Sequence, residues 1–423
     1  MKRIGHADLP LHGGTVPKWL ADRMAQLSGL IIEAMVGIYG KTEVLKHLSD
    51  PLWFQSFGAV LGMDWHSSGI TTSVMYALKR SVNKNARNLG ICICGGRGIY
   101  SRKTPEELLF LAEATGLNGN ELIKTSKLCA KIDNTAIQDG FNLYQHNFIL
   151  ADNGQWTIIQ QGMNLETKTA RRYHWFSEEI KSYVNNPHSG IVGINKGKIL
   201  NLTDKQAQST RNSILNISVD NPERIIKEIR LLQKCEENNL SSQNFLFPEL
   251  QETSSLTDNI NVSDYRKIKL PRHHDVKAQD VDLKKLGAVL YTAYESQPKD
   301  FESLLLTPGL GPRTLQSLTL VSEIIHGTKS RFNDPARFSF AHGGKDGHPF
   351  PVPCKIYDET IRILKDSIQS SQITKKDKMD CIERLHKTAL EIEKKCEPYA
   401  DFEETIKHEK NHSKEWDGKI AGD

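Results

Sequence analysis

Phe301-Glu302-Ser303-Leu304-Leu305-Leu306-Thr307-Pro308-Gly309-Leu310-Gly311-Pro312-Arg313-Thr314-Leu315-Gln316-Ser317-Leu318-Thr319-Leu320-Val321-Ser322-Glu323-Ile324-Ile325-His326-Gly327 is the most structured statement in the chain. The apolar triplet Leu304 to Leu306 ends in a Pro308-Gly309-Leu310-Gly311-Pro312 turn. Beyond it Leu315, Leu318, Val321 and Ile325 recur at helical spacing. Two glycines allow positive φ and close backbone approach. Pro312 and Thr314 suit the first turn of a second helix. The stretch therefore predicts helix, glycine turn, helix.

That arrangement resembles the helix-hairpin-helix motif of DNA repair and recombination proteins. The resemblance implies that the turn amides and the first turn of the second helix hold a DNA phosphate. The physics agrees, because a helix N-terminus with free N–H groups is an anion site. The residues that would make this contact are Gly309, Gly311, Arg313 and Thr314, with Arg313 as a mobile cation beside the turn.

A chain of 423 residues is too long for one ordinary core, so several domains are expected. We expect an α/β domain over 1–205 and a helical segment with polar linker over 206–262. A helix-hairpin-helix domain with a Gly/His-rich loop would fill 263–355, and C-terminal helices with a charged tail 356–423. The fold class is accordingly α+β (mixed α/β) for the N-terminal half and all-α for the C-terminal half. A net charge of +4 is too small to argue for nucleic acid by itself, so local clusters matter more. No apolar run reaches membrane length, since Leu30 to Ile38 is broken by Glu33. No signal peptide is evident, and the cysteines lack paired metal spacing, which points to a reducing cytoplasm.

In the N-terminal half, residues 18–48 read as two helices about Gly37 and Gly40. The apolar segment Phe57 to Met63 runs into Asp64-Trp65-His66-Ser67-Ser68-Gly69, which reads as a strand-to-helix turn delivering an Asp and a His. Leu89 to Cys94 reads as a buried strand ending in Gly95-Gly96-Arg97-Gly98, whose amides could cradle an anion. It lacks a complete GxGxxG or P-loop pattern, so no nucleotide cofactor is expected. Thr104-Pro105 opens a helix. Residues 119–148 read as one long helix with Asp139, Asn142 and His146 on one polar face lining a cleft. Phe148 to Ile159 reads as a hairpin about Asn153-Gly154, followed by the amide pair Gln160-Gln161. Ala170-Arg171-Arg172-Tyr173-His174-Trp175 sets cations beside rings, a composition that can clamp a phosphate and stack a base.

Residues 236–261 are polar and read as a linker. Cations return with Arg266 to Arg272. The loop 331–350, which includes His342 and Lys345, is dense in His, Lys, Asp and Gly and is of a binding composition.

Four blocks in order carry a second resemblance: Gly62 to Gly69, Gln160 to Asn164, Ala170 to Trp175, and Ser339 to Gly347. Over roughly residues 1–355 the chain resembles a prokaryotic, mostly archaeal, family known as domain of unknown function number seven hundred and sixty-three. The resemblance implies no established chemistry.

These residues fit more than one function. The first is a DNA-processing enzyme, a metal-dependent nuclease using Mg²⁺ or Mn²⁺. Its site would draw on Asp64, His66, Asp139, His146, Gln161, Arg171, Arg172 and His174. Gly309, Gly311, Arg313, Thr314, His342, Lys345 and Arg272 would hold the DNA backbone with little sequence specificity. The second is a binding protein without catalysis. A base-excision glycosylase fits less well, because Arg313 stands where that family carries a catalytic Lys and Asp334 is displaced from the expected Asp. An RNA-directed enzyme is a further alternative, since Arg–aromatic clusters suit single strands of either nucleic acid.

Overall fold

The computed structural model describes residues 9–10, 17–63, 68–230, 282–336 and 354–393. Asp64, His66, Arg272, His342 and Lys345 lie outside the described residues.

Strand β1, Leu9–Pro10, precedes helix α1, Lys18–Ser49. The break expected near Gly37 and Gly40 falls at Gly40 alone, which adopts φ 82°. Asp50 then accepts from Trp53 N at 2.8 Å and, with Pro51 at N1, starts α2, Pro51–Val60. All of α2 is buried. This corrects the expected strand. A short helix buried all round has no one-sided 3.6-residue stripe and is easily mistaken for one. The segment beginning at Asp64 therefore follows a helix rather than a strand. Next come α3, Gly69–Val82, α4, Ala86–Leu89, and strand β2, Ile91–Arg97. A 3₁₀ turn over Gly98–Lys103 leads into α5, Thr104–Thr115, and Asn118 caps α6, Gly119–Lys131.

The long helix expected over 119–148 is not formed. It ends in a π turn over Ile132–Ala136, and Asn142–Ala151 is strand β3. Tertiary pairing overrides the helical pattern here. Residues 145–151 of β3 bond to β2 on one side, and β3 bonds on its other side to β4, Trp156–Asn164. The β3–β4 hairpin has a three-residue loop, with Ala151 N to Gln155 O at 2.9 Å and Gly154 at φ 87°. The Asn-Gly signal thus marks the turn correctly but with one residue more than a two-residue loop. β5, Thr169–Phe176, pairs with β4 and on its outer edge with both β1 and β6, Gly190–Val192. The six-stranded sheet runs β1-β5-β4-β3-β2, and all its pairs are antiparallel.

Helices α7, Gln208–Val219, and α8, residues 222–230, follow. After them come α9, Leu283–Ser296, α10, Phe301–Leu305, and α11, Pro312–His326. The last two are α12, Cys354–Ser370, and α13, Lys375–Glu393. The strand period of two sends Ile93, Ile149, Ile159 and Phe176 to one face of the sheet, against α1, α2, α3, α12 and α13. Cys94, Phe148, Ile158 and Trp175 go to the other face, against α5, α6 and α7 together with α9, α10 and α11. The fold is mixed α/β, an antiparallel sheet between two helical layers. The helices after residue 282 share a core with the sheet, so the boundaries expected at 206 and 263 fall between segments that pack together. No described helix is long and apolar enough to cross a membrane.

Candidate active-site cleft and phosphate-binding hairpin

Neighbouring residues on β5 face opposite layers, so Arg171 and Arg172 serve different surroundings. Arg171 is fully buried with its guanidinium between two carboxylates. Nη1 donates to Asp139 at 3.0 Å and to Asp334 at 2.9 Å, and Nη2 donates to Asp334 at 2.7 Å. Tyr173 donates to Asp139 at 2.6 Å. Burial by itself would lower the Arg171 pKa, but the two carboxylates carry it above the ordinary value. Burial raises the Asp139 carboxyl, against the pull of Arg171 and Tyr173. Asp334 also accepts from Lys196 N at 2.7 Å and Ala336 N at 2.9 Å, so its oxygens are committed.

Arg172 faces the other layer. It donates to His174 Nε2 at 2.7 Å, Gln55 at 2.9 Å and Thr71 at 3.3 Å, and lies 4.7 Å from the Phe54 ring centroid. No described carboxylate pairs with it, and burial pulls it down to about 9. His174 is held neutral, its pKa lowered by burial and then by Arg172. Gln161 lies directly across from Arg172 on β4 and bonds to Thr71, Tyr144 and the Ser68 carbonyl. The 170–175 cluster is therefore interior. This corrects the expectation that its cations clamp a phosphate and its rings stack a base, since Arg171, Arg172, Tyr173, His174 and Trp175 are all buried.

His146 belongs to a third set. It sits on β3 opposite Gly96 and Gln160, not beside Asp139 on a helix face. Asp133, in the π turn, accepts from Gln160 Nε2 at 2.5 Å, Trp175 Nε1 at 2.9 Å and His188. This fixes the Gln160 amide with Oε1 toward His146 Nδ1, at 2.7 Å. Nδ1 therefore carries the proton, and Nε2 is left to accept from Ser126 Oγ at 2.8 Å. Burial lowers the His146 pKa, partly opposed by Gln160 and Asp133, so the imidazole is neutral near pH 7. A cleft of about 190 Å³ opens on this pair, bordered by Arg102, Pro105, Lys127 and Tyr144.

The hairpin is tied to the end of α6 and to the segment after it. Lys131 Nζ donates to the Leu310 carbonyl at 2.5 Å, and Gln138 donates to the Pro312 carbonyl at 2.9 Å. Gly309 takes φ 81°, but Gly311 is extended at φ −127° and is the N-cap of α11, so only one of the two glycines uses the left-handed region. α11 begins with no side-chain cap and no acidic residue in its first turn. Pro308, Gly309 and Arg313 are exposed.

The structure thus brings Arg171 and Asp139 together, joins Arg172, His174 and Gln161 in a second group, and places His146 in a third. Among the described residues, no three or more His, Cys, Asp or Glu side chains are grouped to hold a metal ion. Sequence reading missed Ser126, and it did not link Asp133 and Gln160 to His146. The usable signal was the period of two in β3 and β4, which sends His146 and Gln160 to one face.

No curated protein and no solved structure matches the chain. A family model described as "Protein of unknown function (DUF763)" matches residues 5–352, and the chain belongs to that family.

Proposed function

We propose that the protein grips the sugar–phosphate backbone of DNA at the 307–314 hairpin and processes the bound strand, as a cytoplasmic protein of the DNA repair or recombination type. The observation that carries this reading is the start of α11. It is uncapped and without acids in its first turn, and beside it stands the exposed cation Arg313. The first-turn amides have no intrahelical carbonyl to reach, and a cation at the positive end of a helix is favourable only when an anion joins it. A methyl group built on Gly311 would meet nothing within 4 Å, so the fold itself does not require glycine there. A partner approaching the backbone would.

Gly311→Ala tests the reading. At extended φ the folding cost is under about 1 kcal/mol. Binding of labelled duplex and single-stranded DNA is expected to weaken at least tenfold with the thermal midpoint nearly unchanged. Arg313→Gln should reduce the slope of log affinity against log salt by about one. Equal affinity in wild type and Gly311→Ala would sink the proposal.

The same assay with Mg²⁺, with Mn²⁺ and with chelator separates a metal-dependent nuclease from a binding protein without catalysis, and an RNA arm tests the RNA-directed alternative. The glycosylase reading is the least favoured, since Asp334 is spent on Arg171 and two backbone amides.

A further inference from the structure

We infer that Ser126 and His146 form a nucleophile–base pair that attacks a phosphodiester in the cleft beside α6. The substrate class rests on the nucleic-acid reading above, and the pair itself rests on its own geometry.

Several helical serines in this protein return their hydroxyls to the carbonyl four residues earlier, as Ser81, Ser218 and Ser317 do. Ser126 does not. Its hydroxyl goes to His146 Nε2, the ring nitrogen free to take a proton. Behind it Gln160 and Asp133 set the tautomer, and Asp133 stands in a π turn, a distortion frequent at functional sites. This is the layout of an activated hydroxyl: nucleophile, base, and a third group orienting the base. Gln160 and Asp133 are positioning residues in this scheme. Opposite His146 on β2 is Gly96, which has no side chain to cover the imidazole.

The cleft favours an anion. Arg102 and Lys127 are exposed at its border. The 98–103 turn also exposes Tyr100, a ring on which a base can stack. Lys127 is four residues from Lys131, which holds the hairpin, a separation of about 6 Å along α6. The hairpin contact and the cleft therefore both border α6.

In the first step Ser126 Oγ bonds to phosphorus and its proton passes to His146 Nε2. The bond from phosphorus to the leaving oxygen breaks, and the imidazolium returns the proton to that oxygen. Water then attacks the seryl phosphodiester with His146 as base. The Ser126 oxygen leaves and regains its proton, and a phosphomonoester is released. The net reaction is hydrolysis with water as the second substrate.

The test uses the full chain with bis(4-nitrophenyl) phosphate, followed by nitrophenolate release and by acid-quench mass mapping of the seryl adduct. DNA binding is measured in parallel. The expected result is turnover with an adduct on Ser126. Ser126→Ala should lose the adduct and at least a hundredfold in rate. His146→Gln should lose the acidic limb of the pH–rate profile, which in wild type lies below the ordinary histidine range. DNA binding without turnover or a Ser126 adduct overturns this inference and leaves the binding proposal standing. Turnover with the adduct but no DNA binding does the reverse. Undiminished turnover in folded Ser126→Ala also overturns it. Adduct mapping on the wild type decides the matter even if that variant fails to fold.

Discussion

Arg171→Met is expected to lose about 3–5 kcal/mol of folding stability, because it strands the Asp139 and Asp334 carboxylates in the interior without their shared cation. Both side chains are essentially inaccessible to water, at 1% and 0% exposure. Water cannot replace the guanidinium there, and breaking a buried pair costs far more than the pair contributes net. Arg172→Met, the adjacent change, is expected to cost much less or to stabilise. It removes a buried charge that no described carboxylate compensates and leaves only neutral partners behind. Urea unfolding at pH 7 checks the pair. Adding Asp139→Asn and Asp334→Asn to Arg171→Met should recover part of the loss. Equal destabilisation by the two arginine variants would show that the ion network is not what distinguishes them.

Acid should weaken the fold well before ordinary carboxylates titrate. His146 and His174 both have folded pKa values below 6.5, chiefly through burial. The unfolded chain therefore binds protons on them first. Their contribution is fully present above about pH 6.5 and is lost as pH falls through that value toward the folded pKa values. With two such groups the unfolding free energy should drop by up to about 2.7 kcal/mol per pH unit in this window. His174→Asn should roughly halve the slope, whatever its effect on stability at pH 8. Denaturant titrations at pH 8, 6.5, 5.5 and 5 would measure it. A flat profile down to pH 5 would mean that these imidazoles take up protons in the folded state without penalty.

The sequence by itself determined the local features. The Pro-Gly-Leu-Gly-Pro stretch marks the turn between α10 and α11, and Thr104-Pro105 marks the start of α5, because proline and glycine act through their own backbone restrictions. The Asn-Gly turn between β3 and β4 was legible for the same reason. Tertiary structure decided the rest. Residues 142–148 satisfy a helical apolar pattern, yet pairing with β4, and from Gln145 on with β2 as well, makes them strand, and that switch moves His146 from beside Asp139 to opposite Gln160. The Arg171–Asp139–Asp334 network joins groups separated by up to 195 positions, 334 minus 139. The Ser126–His146 pair joins a helix to a strand 20 positions on. Hydrogen bonds between distant residues depend on register and packing, and a local pattern of residue types carries neither.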